Sequence, residues 1–366
     1  MPGLFEPLQV GAIETANRIW MAPLTRGRGT KDFVPQPIMA EYYGQRAAAG
    51  LIISEATHIS LEGSGWPYAP GIWNEQQVEG WKPVTKAVHD KGGKIVLQLW
   101  HMGRTTHTKT SGVHPVAPSA ITCPEHYFHT YEGKLPPEQP RELTKDDIKR
   151  IVGDYAHAAK NAIKAGFDGV QIHGANGYLV DEFLKTSSNK RTDEYGGSDE
   201  NRVRFLREVV ESVVNAVGAD KTGIRLSPNA STMGAEYEDG NPEPVTRLAA
   251  KILEEFKIAF VELREPGPQG TFGASTQPKQ RGVIREEYKG VLVTNQDLTP
   301  DDAKQLVEEG TVDAVTFGRP YIYNPDLFER IENSYPLATG DMTGWYVPDD
   351  KFPREKGYID YPRYSA

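Results

Sequence analysis

The sequence predicts a single (β/α)₈ barrel spanning residues 1–366, and three observations carry that prediction. Eight short, apolar and often β-branched runs are spread along the chain. Segments with helical spacing of apolar residues lie between most of them. Residues able to do chemistry collect at the C-terminal ends of the runs, where barrel enzymes build their sites. A barrel typically uses ~250 residues, so a chain of 366 leaves roughly a hundred for insertions.

In chain order, residues 6–16 read as a hairpin closing the bottom of the barrel. The eight candidate strands are 18–24, 51–56, 94–100, 169–173, 222–227, 259–263, 291–294 and 314–318. Amphipathic helices are expected at 144–165, 200–217, 243–256 and 299–309. Asp199 and Thr299 are their candidate N-caps, and Gly166, Gly218 and Gly310 their candidate stops. Residues 104–141 are rich in Pro, Thr, Ser and His and lack periodicity. They read as an excursion after strand three that forms a lid over the pocket. Residues 63–71 form a shorter loop after strand two, and the tail 346–366 is expected to wrap the barrel.

Hydrophobic residues make up 38% of the chain and aromatics 10%, enough for a large core. The formal net charge of -9 and a pI of about 5.6 argue against a nucleic-acid duplex or an anionic membrane as partner. Cys123 is the one cysteine. It excludes an intrachain disulfide and any cysteine-based zinc or iron–sulfur cluster. The N-terminus shows no basic flank followed by an apolar run, and no stretch approaches ~20 apolar residues, so a cytoplasmic location is expected. Monomer and homodimer stay equally open.

The most informative segment is Gly169-Val170-Gln171-Ile172-His173-Gly174-Ala175-Asn176-Gly177-Tyr178-Leu179. An apolar strand runs into a turn bearing two hydrogen-bond donors and a phenol. His173 and Asn176 can both donate to one carbonyl or nitro oxygen, while Tyr178 can protonate the neighbouring carbon from another direction. Other strand ends add Met21-Ala22-Pro23-Leu24-Thr25-Arg26, Gln98-Leu99-Trp100-His101-Met102-Gly103-Arg104, Arg225 and Gly318-Arg319-Pro320.

These segments resemble the old yellow enzyme family of FMN-dependent ene-reductases. So do Ser54-Glu55-Ala56-Thr57, Ala69-Pro70-Gly71, Ser188-Asn189-Lys190-Arg191-Thr192-Asp193-Glu194-Tyr195-Gly196-Gly197, Asn201-Arg202 and Gly357-Tyr358-Ile359-Asp360-Tyr361-Pro362. The resemblance covers essentially the whole chain. Within the family it looks closest to the bacterial nitrate-ester and N-ethylmaleimide reductases.

The resemblance implies tightly but non-covalently bound FMN, with NADPH or NADH as reductant. It implies that Pro23, Thr25 and Ala56 flank the flavin, with Thr25 donating to O4 where a related branch carries Cys. Gln98 would pair with O2 and N3, and Arg225 would sit by N1 and O2; a structural ion pair is the other use for an arginine at mid-strand. Gly318 and Arg319 would hold the phosphate, which barrels commonly bind beyond strands seven and eight. Asn295 stands where the family usually has a phosphate-facing glycine, and Asn tolerates positive φ. Trp66 stands where relatives usually carry Tyr. Trp100 either lines the substrate pocket or packs in the core, and Tyr346 resembles an aromatic near the substrate. The implied substrates are electrophilic alkenes, namely enones, maleimides and nitroalkenes, and also nitrate esters.

No Gly-x-Gly-x-x-Gly follows any strand, so the nicotinamide would share the substrate's place and the kinetics would be ping-pong. Two rival readings stand beside this one. One is an FMN-binding sensor or storage protein without turnover. The other is a metal-dependent barrel hydrolase using His101, His107, His114, His126 and His129.

Overall fold

A computed structural model describes residues 3–347 and 349–365. Met1, Pro2, Pro348 and Ala366, which fall in the N-terminal stretch and the tail read above, lie outside the described residues. Eight parallel strands close on themselves: β1 (Ile19–Met21), β2 (Ile52–Ile53), β3 (Ile95–Trp100), β4 (Gly169–Gly174), β5 (Thr222–Leu226), β6 (Phe260–Arg264), β7 (Val291–Asn295) and β8 (Ala314–Phe317). Each pairs with its neighbours in sequence, and β8 pairs with β1. The chain is a (β/α)₈ barrel, as the alternation of runs and helices predicts.

The helices follow in step: α1 (Pro37–Gln45), α2 (Glu75–His89), α3 (Lys145–Lys164), α4 (Arg204–Val217), α5 (Glu243–Phe256), α6 (Arg281–Glu287), α7 (Pro300–Glu308), α8 (Arg319–Tyr323) and α9 (Leu327–Glu332). Thr144 caps α3 and Thr299 caps α7, each in a reciprocal capping box with the Asp three residues on. Gly166, Gly218 and Gly310 end their helices with positive φ. The expected 200–217 helix begins earlier and breaks at Val203. A short turn, Asp199–Arg202, precedes α4 and is capped by Ser198 rather than Asp199. Asp199 instead takes the first helical position, where the exposed amides favour a carboxylate.

Inside the barrel, side chains alternate along each strand with period two, so inward residues form layers. The lowest layer is apolar: Trp20, Leu51, Ile53, Val96, Phe260, Val293 and Ala314. The hairpin Leu8–Val10 and Ile13–Thr15 seals it, with Val10 and Ile13 in the same cluster and Ala12 N–H donating to Asp220 O (2.8 Å). One step up each strand the inward residues turn polar.

Residues 104–141 are more ordered than their composition suggests. They hold the helix Thr108–Ser111, a hairpin of Phe128–Thr130 with Gly133–Leu135, and two short strands that pair with each other. The long motif at 188–197 turns out to be a latch. Arg191 donates to Pro118 O within that excursion and to Leu143 O just beyond it and is bidentate to Asp193, while Asn189 ties Phe183 O to Tyr195 O. Near the C-terminus, Arg26 and Arg28 of the segment after β1 donate to the carbonyls of Gly344, Trp345, Lys356 and Gly357. Tyr358 stacks on Tyr42 of α1 at 4.0 Å. No described helix is long and apolar enough to cross a membrane.

Candidate active site

The upper barrel opens into a cavity of about 380 Å³, within the usual range for small-molecule sites. Pro23, Thr25, Ala56, Trp66, Gln98, Trp100, His173, Asn176, Tyr178, Arg225, Asn295, Gly318, Arg319 and Tyr346 all line it. Every residue that the flavin reading singled out from the sequence thus reaches one space.

The polar layer beneath the cavity is a buried hydrogen-bond chain. Gln98 Nε2 donates to Gln171 Oε1 (2.8 Å), Gln171 Nε2 to Glu262 Oε2 (2.8 Å), and Thr316 Oγ1 to Glu262 Oε1 (2.7 Å). Arg225 Nε lies 3.7 Å from Glu262 Oε2 and makes no hydrogen bond, while Arg225 Nη2 donates to Asn295 Oδ1 (2.7 Å). Arg225 therefore both faces the cavity and balances a buried carboxylate. The hydrogen-bond chain fixes Gln98, and among the described residues neither Gln98 Oε1 nor Thr25 Oγ1 has a hydrogen-bond partner. A planar heterocycle with alternating donors and acceptors along one edge would meet a hydroxyl, an amide and a guanidinium there. The residues present fit a flavin.

Asn295 corrects an expectation. It closes β7 and does not hold the left-handed turn; Gln296 (φ 96°) and Asp297 (φ 54°) do. Its side chain instead bridges Arg225 and the backbone, with Nδ2 donating to Thr316 O (2.9 Å). At the same end Arg319 Nη1 donates to Thr271 Oγ1 (2.6 Å), and Asp297 accepts from Thr271 N (3.0 Å).

The turn after β4 needs two left-handed residues in succession. Asn176 (φ 61°) is the non-glycine type that tolerates this, and a Cβ on Gly177 (φ 77°) would lie 2.3 Å from Thr232 O. Asn176 N–H donates to Ser227 Oγ (2.8 Å) and Gly177 N–H to Asp181 Oδ2 (2.9 Å). Asp181 is paired with Lys185 at 3.0 Å, both fully buried. Lys185→Met leaves that carboxylate buried and unpaired. It is expected to destabilise the fold by about 3–5 kcal/mol in urea unfolding of the flavin-free protein; an unchanged midpoint would contradict this.

His173 Nδ1 accepts from Ala175 N–H (3.3 Å), which puts the proton of the neutral ring on Nε2. Burial, then the guanidinium charges of Arg225 and Arg264, hold its pKa well below the usual histidine range, so the ring is neutral. Nε2–H finds no protein acceptor among the described residues. Tyr178 stands edge-on to His173 (4.9 Å between ring centroids) and to Trp100 (5.0 Å). Burial, then Tyr346, raises its pKa, so the phenol keeps its proton. Trp100 serves both readings offered above: it stacks on buried His58 (4.8 Å, 13°) and lines the cavity. Trp66 packs between Tyr346 (5.0 Å) and His129 of the excursion hairpin (5.3 Å), though no residue of 104–141 itself lines the cavity. Of the histidines offered to the metal reading, His101 Nδ1 accepts from Gly103 N–H, His107 Nδ1 accepts from Lys109 N–H, and His129 packs on Trp66. Among the described residues no three His, Cys, Asp or Glu side chains gather as a metal site.

Comparison with known proteins decides the family. The sequence model of the NADH:flavin oxidoreductase / NADH oxidase family matches residues 3–338, and a solved old yellow enzyme homologue from Zymomonas mobilis superposes with a TM-score of 0.95 at 53% identity, covering 99% of each chain. The chain belongs to the old yellow enzyme family. Among its relatives, a probable flavin mononucleotide-dependent alkene reductase of Leishmania infantum is 43% identical over 98% of this chain and 97% of its own. A putative 12-oxophytodienoate reductase of Oryza sativa subsp. japonica is 40% identical over 98% and 92%. The structure of morphinone reductase in complex with tetrahydroNAD has a TM-score of 0.91 at 42% identity, covering 100% and 98%. As a member of the old yellow enzyme family, the protein is a flavin oxidoreductase, and the family's cofactor is FMN.

Sequence reasoning missed Glu262 and Arg264, and with them Met233, Thr271, Phe272, Thr316, Asp297 and Trp345 of the cavity wall. For two of them a signal existed. The buried strand Phe260–Arg264 carries charge at alternate, same-face positions, Glu262 and Arg264, which needs partners inside the barrel.

Proposed function

We propose that the protein reduces carbon–carbon double bonds activated by a carbonyl or nitro group, using NADPH or NADH, and that nitrate esters are further oxidants. The observation that carries this reading is the convergence of three protonated donors, His173 Nε2, Asn176 Nδ2 and Tyr178 OH, on the cavity that Thr25, Gln98 and Arg225 also face. When bound, FMN supplies the hydride that it has received from the nicotinamide.

Thr25 would hold the flavin at O4, Gln98 at O2 and N3, and Arg225 at N1 and O2. Pro23 and Ala56 would pack on it, and Gly318 and Arg319 would take the phosphate. His173 and Asn176 bind the activating oxygen of the substrate. Their hydrogen bonds strengthen as negative charge gathers there, so they favour the transition state over the bound alkene. Tyr178 then gives its proton to the carbon next to the activating group. A phenol held above its ordinary pKa suffices, because a carbanion is a far stronger base. Trp66, Trp100 and Tyr346 form the apolar walls that orient the substrate. We read residues 104–141 as a brace for Trp66.

Reductant and oxidant would enter the same cavity in turn. Parallel lines in double-reciprocal plots of NADPH against 2-cyclohexenone are expected; intersecting lines would contradict a shared site. Glu262→Gln tests the floor beneath it. Removing the negative charge beside Arg225 leaves the guanidinium's full field for the reduced ring. The flavin midpoint potential should rise by a few tens of millivolts, the scale of ~1–2 kcal/mol. Spectroelectrochemistry would show this, and an unchanged or lower potential would count against the placement of Arg225.

A further inference from the structure

Arg264 ends β6, points inward and is 1% exposed, yet neither the flavin contacts nor the proton donor proposed above employ it. Its Nη1 donates to Asn176 Oδ1 (2.9 Å) and to Thr232 Oγ1 (3.0 Å), and its Nη2 to Phe272 O. The guanidinium also lies 4.7 Å from the Phe272 ring.

The backbone of Asn176 is pinned by its left-handed φ and by Ser227. One freedom remains, the flip of its side-chain amide. An asparagine can present an acceptor or a donor to the cavity, and only the donor binds a substrate oxygen. A guanidinium has donors and no acceptors, so Asn176 must turn Oδ1 toward Arg264 and Nδ2 away from it. Without that partner both orientations become accessible, and one of them repels the ligand. Burial, then Arg225, lowers the Arg264 pKa to about 10, which still leaves it a cation at neutral pH.

We propose that Arg264 is a positioning residue that locks the Asn176 amide with Nδ2 toward the substrate oxygen and so sets the site's affinity for anionic-oxygen ligands. The proposal rests on the reading of Asn176 given under Proposed function. It acts through Asn176, not by touching the ligand, and that distinction is measurable.

The test is a double-mutant cycle on the FMN-loaded, oxidised protein, with 4-hydroxybenzaldehyde as the probe and its long-wavelength absorbance with the flavin as the readout. Arg264→Met is expected to weaken binding about tenfold, the scale of losing one well-oriented hydrogen bond. Asn176→Ala should weaken it at least as much, and adding Arg264→Met to Asn176→Ala should change nothing further. Arg264→Lys keeps a donor for Oδ1 and should recover most of the affinity; it also carries the comparison if Arg264→Met fails to hold FMN. Wild-type affinity in Arg264→Met would overturn the proposal. So would a full Arg264→Met effect in the Asn176→Ala background, or an Arg264→Lys protein with an intact flavin spectrum that binds no better than Arg264→Met. If Asn176→Ala alone binds the probe normally, the underlying reading of Asn176 fails instead, and this proposal with it.

Discussion

Tyr178→Phe is expected to slow reoxidation of the reduced flavin by 2-cyclohexenone about 10²–10⁴-fold, the usual scale for loss of a general acid. The reductive half-reaction with NADPH should stay within a few-fold of wild type, because hydride transfer to the flavin needs no proton from the phenol. The substitution removes one oxygen and keeps the ring, so the edge contacts with His173 and Trp100 persist. Stopped-flow absorbance separates the two steps. A Tyr178→Phe protein that turns over the enone at the wild-type rate would mean that another group or solvent supplies the proton. The high pKa of Tyr178 adds a second expectation: the wild-type oxidative rate should show no loss from phenol ionisation across the neutral range.

His173→Ala combined with Asn176→Ala is expected to cost about 10²–10³-fold or more in enone kcat/KM, as removal of oxyanion donors does elsewhere. The same protein should lose the long-wavelength absorbance given by phenolic ligands, since the phenolate oxygen loses both donors. Neither residue belongs to the hydrogen-bond chain Gln98–Gln171–Glu262–Thr316, so the flavin spectrum should survive. An undiminished phenol band in the double variant would remove both residues from the ligand site.

Much of this was legible in the residues because period-two alternation inside a closed barrel sends every second side chain to one space. Gln98 and Trp100 on β3, and Gln171 and His173 on β4, are such pairs, two residues apart on the same face. The glycines flanking Asn176 allow the tight turn after β4, and the structure shows that turn to be left-handed at Asn176 and Gly177. Glu262 and Arg264 obey the same rule, but the run visible in the sequence, 259–263, stops one residue short of Arg264 and leaves Glu262 a lone charge in an apolar strand. What the sequence withholds is partnership across strands. That Asn295 serves Arg225 and not a left-handed turn depends on the register of β7 against β6 and β8, which no local pattern states. The hairpin at 128–135 was hidden for a related reason: two three-residue strands are too short for periodicity to show.

The proposed function requires one flavin cavity that takes electrons from a nicotinamide and passes them to an activated alkene. The measurement that tests it most directly is the visible spectrum of the FMN-loaded protein without air, first with NADPH and then with 2-cyclohexenone. The flavin bands are expected to bleach with the nicotinamide and return with the enone. A protein that takes up no FMN, or a reduced flavin that the enone leaves bleached, would contradict it.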